Sequence, residues 1–228
     1  MTQRSLEQIP LPDGSELRLT VAVPESAVRG GIVVVPEARG VTDAVWQLAG
    51  DLAGEGWLAV IPHLYHRDGA DELPQDSDSE QVRSHVERLS AESLHADTDA
   101  SLRWLSQRGV TADRIGVVGV GLGGAVALIV ATERDFGAAV TVDGIGVVQP
   151  VAPTLPTLAE VAPDLRCPWL GIYRADSEVP DPEVDKLRDA AHSAQVATDL
   201  VHYRVDTDQS TAEETWARTL NWFDCHLR

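Results

Sequence analysis

The sequence predicts an α/β fold with a mostly parallel central sheet of about seven or eight strands and helices on both faces. Short apolar runs alternate with longer amphipathic stretches along nearly the whole chain, which is typical of strand–helix–strand units. Several of these runs are continuous and β-branched, as in strands buried on both faces. The composition stays even over the 228 residues, without repeats or low-complexity segments, so we expect one domain, residues 1–228.

The first half of the chain predicts three strands and one helix before a long helical region. The alternation in Glu16–Val23 indicates a half-buried strand, and two apolar runs that stop at prolines indicate buried strands. A stretch with six acids and no periodicity indicates a loop. In order, the predicted elements are a strand at 16–23, a strand at 32–35, a helix at 43–56, a strand at 57–61, the acidic loop at 68–80 and one or two amphipathic helices within 81–108.

The second half repeats the alternation of strands and helices. The predicted strands lie at 114–118, 138–142, 168–173 and 198–205, and the predicted helices at 122–133, 181–194 and 211–227. Residues 143–164 contain four prolines and are predicted to run over the surface.

Charge and cysteine content exclude several classes of protein. Eighteen basic against 36 acidic residues give a net charge of −18, which disfavours nucleic acid and anionic membranes as partners. No apolar run approaches the roughly 20 residues of a membrane-spanning helix, and the first residues lack the apolar core of a signal peptide. Two cysteines are too few for a disulfide framework, and we expect Cys167 and Cys225 to be buried structural thiols in a cytoplasmic protein.

The most informative segment is residues 114–127, RIGVVGVGLGGAVA, which predicts a strand, a glycine turn and a helix. Two kinds of site use this arrangement. One is the nucleophile elbow, which lifts a Ser or Cys above the sheet. The other is a dinucleotide site, in which Gly119, Gly121 and Gly124 form the G-x-G-x-x-G pattern and Asp143 is the ribose-binding acid. Such a pattern normally opens its domain, whereas here several elements precede it.

Five blocks of the sequence, in order, resemble the dienelactone hydrolases, which are α/β-hydrolases that open small lactones and esters. The blocks are VVPEARGV at 34–41, GWLAVIPHLYHR at 56–67, GVGLGG at 119–124, WLGIYRADSEVP at 169–180 and ARTLNWFDCHL at 217–227. The resemblance extends from about residue 30 to the C-terminus. It implies the α/β-hydrolase fold and favours the elbow interpretation.

The resemblance also implies roles for individual residues. Glu37 matches the glutamate that pairs with the resting nucleophile, and Asp176 matches the acid that orients the catalytic histidine. The backbone N–H groups of Ala38 and Leu122 would form the oxyanion hole. Arg67 matches an arginine suited to a substrate carboxylate. Together with Tyr65 and Arg39, it is expected to bind ligand.

The sequence departs from the family pattern at two catalytic positions. The nucleophile position is Gly121, which has neither hydroxyl nor thiol. The histidine position falls on Asp208, in a segment about ten residues shorter than the family's usual spacing. Without both groups, the nucleophile and base of covalent hydrolysis are missing.

Four other side chains are candidates for chemistry. His202, a candidate base, is expected to lie on a sheet face. His63 and His66 have a weak metal-like spacing, but a third ligand is lacking, so no metal is expected. Glu37 is expected to be shielded from water, which raises its pKa unless Arg39 or Arg67 pairs with it.

The leading hypothesis is a protein of this family that is hydrolytically inactive and binds a small molecule, possibly carboxylate-bearing, or a partner at the former active site. No cofactor is expected, and the oligomeric state is left open. The first alternative is a hydrolase or lyase in which Glu37 or Asp208 acts without a covalent intermediate. The second is dinucleotide binding through Gly119, Gly121 and Gly124.

Overall fold

The structure is a computed structural model that describes residues 3–70, 73–74, 77, 79–203 and 208–227, with only the backbone described for residues 3 and 208–211. It contains one eight-stranded sheet, and the strand order is β1-β2-β4-β3-β5-β6-β7-β8. The strands are β1 (Gln3–Pro10), β2 (Glu16–Val23), β3 (Gly30–Val35), β4 (Trp57–Pro62), β5 (Ile115–Val120), β6 (Ala138–Val142), β7 (Trp169–Tyr173) and β8 (Thr198–His202).

Strands β3 to β8 are parallel to one another, and only β1 and β2 run antiparallel to their neighbours. The carboxyl ends of β3, β5, β6 and β7 therefore meet at one edge of the sheet. In open α/β sheets the ligand site lies at this edge. The predicted fold class is confirmed.

Helices cover both faces of the sheet. They are α1 (Asp43–Gly54), α2 (Ser79–Val86), α3 (Ala91–Ser106), α4 (Leu122–Glu133), α5 (Leu158–Val161), α6 (Asp181–Ala191) and α7 (Asp208–His226). Apolar side chains of α1 and α7 form one core cluster with the sheet, and those of α2 to α6 form the other. Burial of these two apolar layers holds the sheet between them.

The predicted helical region 81–108 is two helices. Ser90 caps the second of them, because its side-chain oxygen accepts a hydrogen bond from the backbone N–H of Ser93. The Ser93 hydroxyl lies 3.1 Å from the backbone N–H of Ser90 in return, which completes a capping box.

Three predictions about the fold need correction. Strand β1 was not predicted, and it pairs along its whole length with β2. Residues 143–164 do not form a surface excursion, because Val147, Leu155 and Leu158 are buried in the core. Cys225 is exposed on α7, whereas Cys167 is buried as expected.

Candidate functional site

A tight turn joins β5 to α4 at Gly121, which has φ 56° and ψ −117°. Its N–H donates to the carbonyl of Val142 on the neighbouring strand, and its carbonyl accepts from Ala125 within the helix. The turn therefore stands at the carboxyl edge of the sheet with the first turn of α4 directly behind it. This is the arrangement of a nucleophile elbow.

The glycines around the turn are there for different physical reasons. A Cβ on Gly119 would lie 2.2 Å from the carbonyl carbon of Gly123, and a Cβ on Gly123 would lie 2.3 Å from the carbonyl oxygen of Val35. These two glycines allow α4 to pack closely against β5 and β3. A Cβ on Gly121 would meet no atom within 4 Å. The space for a nucleophilic side chain is present at residue 121, and the side chain is not.

A cleft of about 630 Å³ opens over this turn. Four strand ends and α2 line it, with these residues: Glu37, Ala38, Arg39, Ser79, Val82, Arg83, Val86, Val120, Gly121, Leu122, Asp143, Ile145, Arg174, Asp176, Ser177 and Glu178. The predicted site residues Glu37, Ala38, Arg39, Leu122 and Asp176 therefore come together at one place, with Gly121 among them.

Glu37 follows β3 and is partly buried in this cleft. Burial raises the pKa of its carboxyl group, and the positive charge of Arg174 offsets part of the rise. Among the described residues, Glu37 forms no ion pair with Arg39 or Arg67, the two arginines that the sequence offers as alternative partners. Arg39 instead donates to the carbonyls of Pro74 and Ser77.

Arg67 lies outside the cleft. Its guanidinium donates to Asp13 at 3.1 Å and to Asp97 at 3.1 Å, and the Asp97 side chain is only 2% exposed. It is therefore engaged by two carboxylates beside α3. The expectation that Arg67 contacts a ligand in this cleft is wrong.

Tyr65 also does not line the cleft. Its ring is buried, and its hydroxyl donates to the carbonyl of Ala38 at 2.9 Å. Burial raises the pKa of this hydroxyl above its usual range, so it stays protonated as a donor. Tyr65 thus supports the backbone of a cleft residue instead of contacting ligand itself.

Sequence reasoning assigned no part in a hydrolase cleft to Asp143 and Arg174. Asp143 directly follows β6 and has φ 48°. Its carboxylate accepts from the backbone N–H of Arg174 at 2.8 Å and from its Nε–H at 2.5 Å. The predicted ribose-binding acid is therefore engaged in an ion pair. Both residues directly follow predicted strands, and this position could have indicated that they lie at the cleft. Their pairing could not be predicted, because it depends on strands β6 and β7 lying side by side.

Asp176 lies on the same side of the cleft, and its side chain is 59% exposed. Its carboxylate is 3.8 Å from Nε of Arg174. No histidine occupies the position that it would orient. The side chain of Asp208 lies outside the described residues, and α7 begins at this residue.

All seven histidines belong to the described part of the chain, and none lines the cleft. His202 is 6% exposed and lies 3.4 Å from Asp181. His63 lies 2.7 Å from the Thr20 hydroxyl, and His66 lies 3.1 Å from Asp97. Among the described residues, no group of three or more metal-ligating side chains occurs.

Neither cysteine lies at the cleft. Burial raises the pKa of the Cys167 thiol to about 12, so it is not a thiolate at neutral pH. Cys225 is exposed on α7. The described cleft therefore combines an open elbow, backbone N–H groups and charged side chains, without an imidazole or a thiol.

Comparison with known proteins agrees with this geometry. The sequence profile described as "Dienelactone hydrolase family" matches residues 17–227. The chain belongs to the dienelactone hydrolase family. A relative from Salmonella typhi, which carries the provisional name carboxymethylenebutenolidase, is 30% identical over 84% of this chain and 76% of its own length. A Yersinia pestis relative with the same provisional name is 27% identical over 93% of this chain and 85% of its own.

Solved structures show the same fold. A Klebsiella pneumoniae protein, provisionally described as a dienelactone hydrolase, has a TM-score of 0.87 and 27% identity, and the match covers 98% of this chain and 99% of that one. The dienelactone hydrolase from Anabaena variabilis, at 18% identity, shows likeness of fold alone, with a TM-score of 0.70 over 100% of this chain and 99% of that one. The chain has the α/β-hydrolase fold of this family. No helix in the described ranges has the length and apolar character to cross a membrane.

Proposed function

We propose that this chain is a dienelactone hydrolase-family protein that binds a small molecule in the cleft over Gly121 and does not form an acyl-enzyme. The observation that carries the proposal is the open elbow, where a Cβ would meet no atom within 4 Å and yet no side chain exists. A covalent ester hydrolase needs a nucleophilic oxygen or sulfur at that point and a base beside it. None of the seven histidines supplies the base.

The binding features of the site support a retained ligand. The cleft keeps about 630 Å³ of space, and the residues that would form the oxyanion hole, Ala38 and Leu122, line it. Backbone donors at a helix N-terminus favour a carbonyl oxygen or an anion. The relatives named carboxymethylenebutenolidase act, by that name, on a small ring with a carboxylated side arm, and a molecule of this size fits such a space.

Ester hydrolysis tests the proposal directly. We expect no turnover of p-nitrophenyl acetate or of a dienelactone above the buffer rate, and no labelling by a fluorophosphonate probe or by iodoacetamide at a cleft residue. Iodoacetamide labelling at the exposed Cys225 is the internal control for the reagent. Peptide mapping separates the two kinds of labelling. A covalent adduct on a cleft residue would contradict the proposal.

The second candidate function is hydrolysis or proton transfer without a covalent intermediate, with Glu37 as the acid or base. The raised pKa of this carboxyl in the cleft favours it, since burial stabilises the protonated form that an acid catalyst needs and makes the carboxylate a stronger base. Turnover that a Glu37→Gln variant loses, with no adduct on the protein, would replace the first proposal by this one. Asp208 is the other candidate acid for this role, and loss of turnover in Asp208→Asn instead of Glu37→Gln would assign the role to it.

We also propose the cytoplasm as the location of the protein. Its two cysteines are not joined in a disulfide, and free thiols are typical of reducing compartments.

A further inference from the structure

Arg174 is fixed more firmly than the other cations of the cleft. Its backbone N–H and its Nε–H both donate to the Asp143 carboxylate, whose side chain is only 9% exposed. Asp143 itself has φ 48°, a left-handed conformation that aspartate tolerates better than most residues. The backbone contact fixes the buried carboxylate, and the charge-assisted Nε–H contact then positions the guanidinium against it.

The terminal NH2 groups of Arg174 have no hydrogen-bond partner among the described residues. The side chain lines the cleft and is 38% exposed. A guanidinium edge with two parallel donors matches the two oxygens of a carboxylate. The fixed arginine therefore has an unused binding edge.

The other two arginines of the cleft are less suited to select a ligand. Both terminal nitrogens of Arg39 donate to backbone carbonyls of the loop between β4 and α2. Arg83 is 78% exposed on α2 and pairs with Glu87 one helical turn away. An exposed, solvated cation contributes little to binding.

We propose that Arg174 is the specificity-determining residue of the cleft, and that it selects a monocarboxylate with an apolar body. This inference rests on the proposed ligand-binding function and names the ligand class and the residue that recognises it. The carboxylate pairs with the terminal NH2 groups of Arg174.

The remaining lining of the cleft determines two other properties of the ligand, its apolar body and its single negative charge. Six apolar residues line it and would contact an apolar body: Ala38, Val82, Val86, Val120, Leu122 and Ile145. Four acidic residues, namely Glu37, Asp143, Asp176 and Glu178, line it against the three arginines, so the lining has no excess of positive charge. Their charge disfavours a ligand with two negative charges, because each added charge meets like charges at close range. A single carboxylate is therefore favoured over a dicarboxylate or a phosphate.

Calorimetric titration with benzoate tests this assignment. Benzoate is a monocarboxylate with an apolar ring, benzamide is its neutral analogue of the same shape, and inorganic phosphate is the multiply charged comparison. We expect the wild-type protein to bind benzoate at least tenfold more tightly than benzamide or phosphate. Arg174→Gln should weaken benzoate binding at least tenfold. The control Arg188→Gln, on α6 outside the cleft lining and with the same 38% side-chain exposure, should change it less than twofold.

A second variant keeps the test decisive if Arg174→Gln disturbs folding. Arg174→Lys retains the charge but has no two-donor edge, so benzoate binding should still weaken several-fold. Circular dichroism and thermal midpoints establish that each variant is folded.

Unchanged benzoate affinity in both variants would refute the role of Arg174. Benzamide or phosphate binding as tight as benzoate, or the absence of benzoate binding to the wild-type protein at millimolar concentration, would refute the ligand class. These results are independent of the ester and labelling assays, which alone decide whether the cleft forms an acyl-enzyme.

Discussion

Two charged regions of the molecule use the same chemistry in different ways. The first, the Asp97 cluster, consists of Asp13, His66, Arg67 and Asp97 beside α3. The Asp97 carboxylate lies within 3.1 Å of both His66 and Arg67, and Nε of Arg67 lies 3.1 Å from Asp13. The second is the cleft, where Asp143 holds Arg174 but the terminal NH2 groups of that arginine keep no partner among the described residues.

The difference between the two regions distinguishes a structural ion pair from a binding one. In the Asp97 cluster both the carboxylate and the guanidinium are engaged by the protein, and the side chains of Asp97 and His66 are 2% and 1% exposed. Removing Asp97 takes a buried charged acceptor away from both His66 and Arg67. In the cleft the protein positions charged groups and leaves part of their hydrogen-bonding capacity unused, which a ligand can complete. Changes in the cleft should therefore affect binding more than folding.

The largest expected effect is on stability, in the Asp97 cluster. Asp97→Ala should lower the free energy of unfolding by about 2–4 kcal/mol, because the donors of His66 and Arg67 lose a buried charged acceptor, although Arg67 keeps Asp13. Urea denaturation followed by tryptophan fluorescence measures it. The matched control is Asp176→Ala in the cleft, whose side chain is 59% exposed and 3.8 Å from its arginine, and which should change stability by less than about 0.5 kcal/mol. Equal losses in the two variants would remove the distinction between the regions.

A smaller effect is expected when a side chain is added at the elbow. Gly121→Ala places a Cβ in open space, so the cost should be only that of the left-handed backbone at φ 56°, about 1–3 kcal/mol. The control is Gly50→Ala within α1, where a Cβ also meets no atom within 4 Å and φ is ordinary. That variant should gain roughly 0.5–1 kcal/mol. If Gly121→Ala were as favourable as the control in urea denaturation, the turn would not be strained and the elbow geometry would be wrong.

Most of the central sheet could be predicted from the sequence because buried parallel strands leave an unmistakable apolar signal. Strand β2 was predicted with its observed bounds, as were β6 and α4. The missed strand, β1, lies at the edge of the sheet and has the polar sequence QRSLEQIP, which shows little alternation. Residues 143–164 were misassigned because prolines signal loops, whereas burial of their apolar side chains depends on tertiary packing.

The candidate site was predictable where it depends on the backbone and not where it depends on side-chain pairing. The elbow at Gly121 and the positions of Glu37 and Asp176 follow from strand ends that meet at one edge. The partners of Arg67 and Arg174 do not, because several carboxylates lie within reach of each arginine along the chain. Only the folded structure shows that Asp97 pairs with Arg67 and that Asp143 pairs with Arg174.

The smallest expected effect is a pH dependence of stability that arises in the cleft, from Glu37. Since burial raises the pKa of this carboxyl in the folded protein, the folded state favours its protonated form. Its contribution to stability is therefore full below the pKa of the unfolded chain and is lost as pH rises through the raised folded pKa. Glu37→Gln removes this dependence and should make the protein slightly more stable than the wild type at neutral pH, by less than about 1 kcal/mol.

The same protonation should govern benzoate binding in the cleft. A neutral Glu37 does not repel the bound carboxylate, so wild-type affinity should fall a few-fold as pH rises through the raised pKa, and the profile of Glu37→Gln should lack this fall. The other charged groups that line the cleft around Glu37 are shared by both proteins: Arg39, Arg83, Asp143, Arg174, Asp176 and Glu178. Because they are common to both, the difference between the two pH profiles reports Glu37 alone. Parallel profiles in calorimetric titrations would show that Glu37 does not face the bound anion, and would separate its raised pKa from any part in ligand recognition.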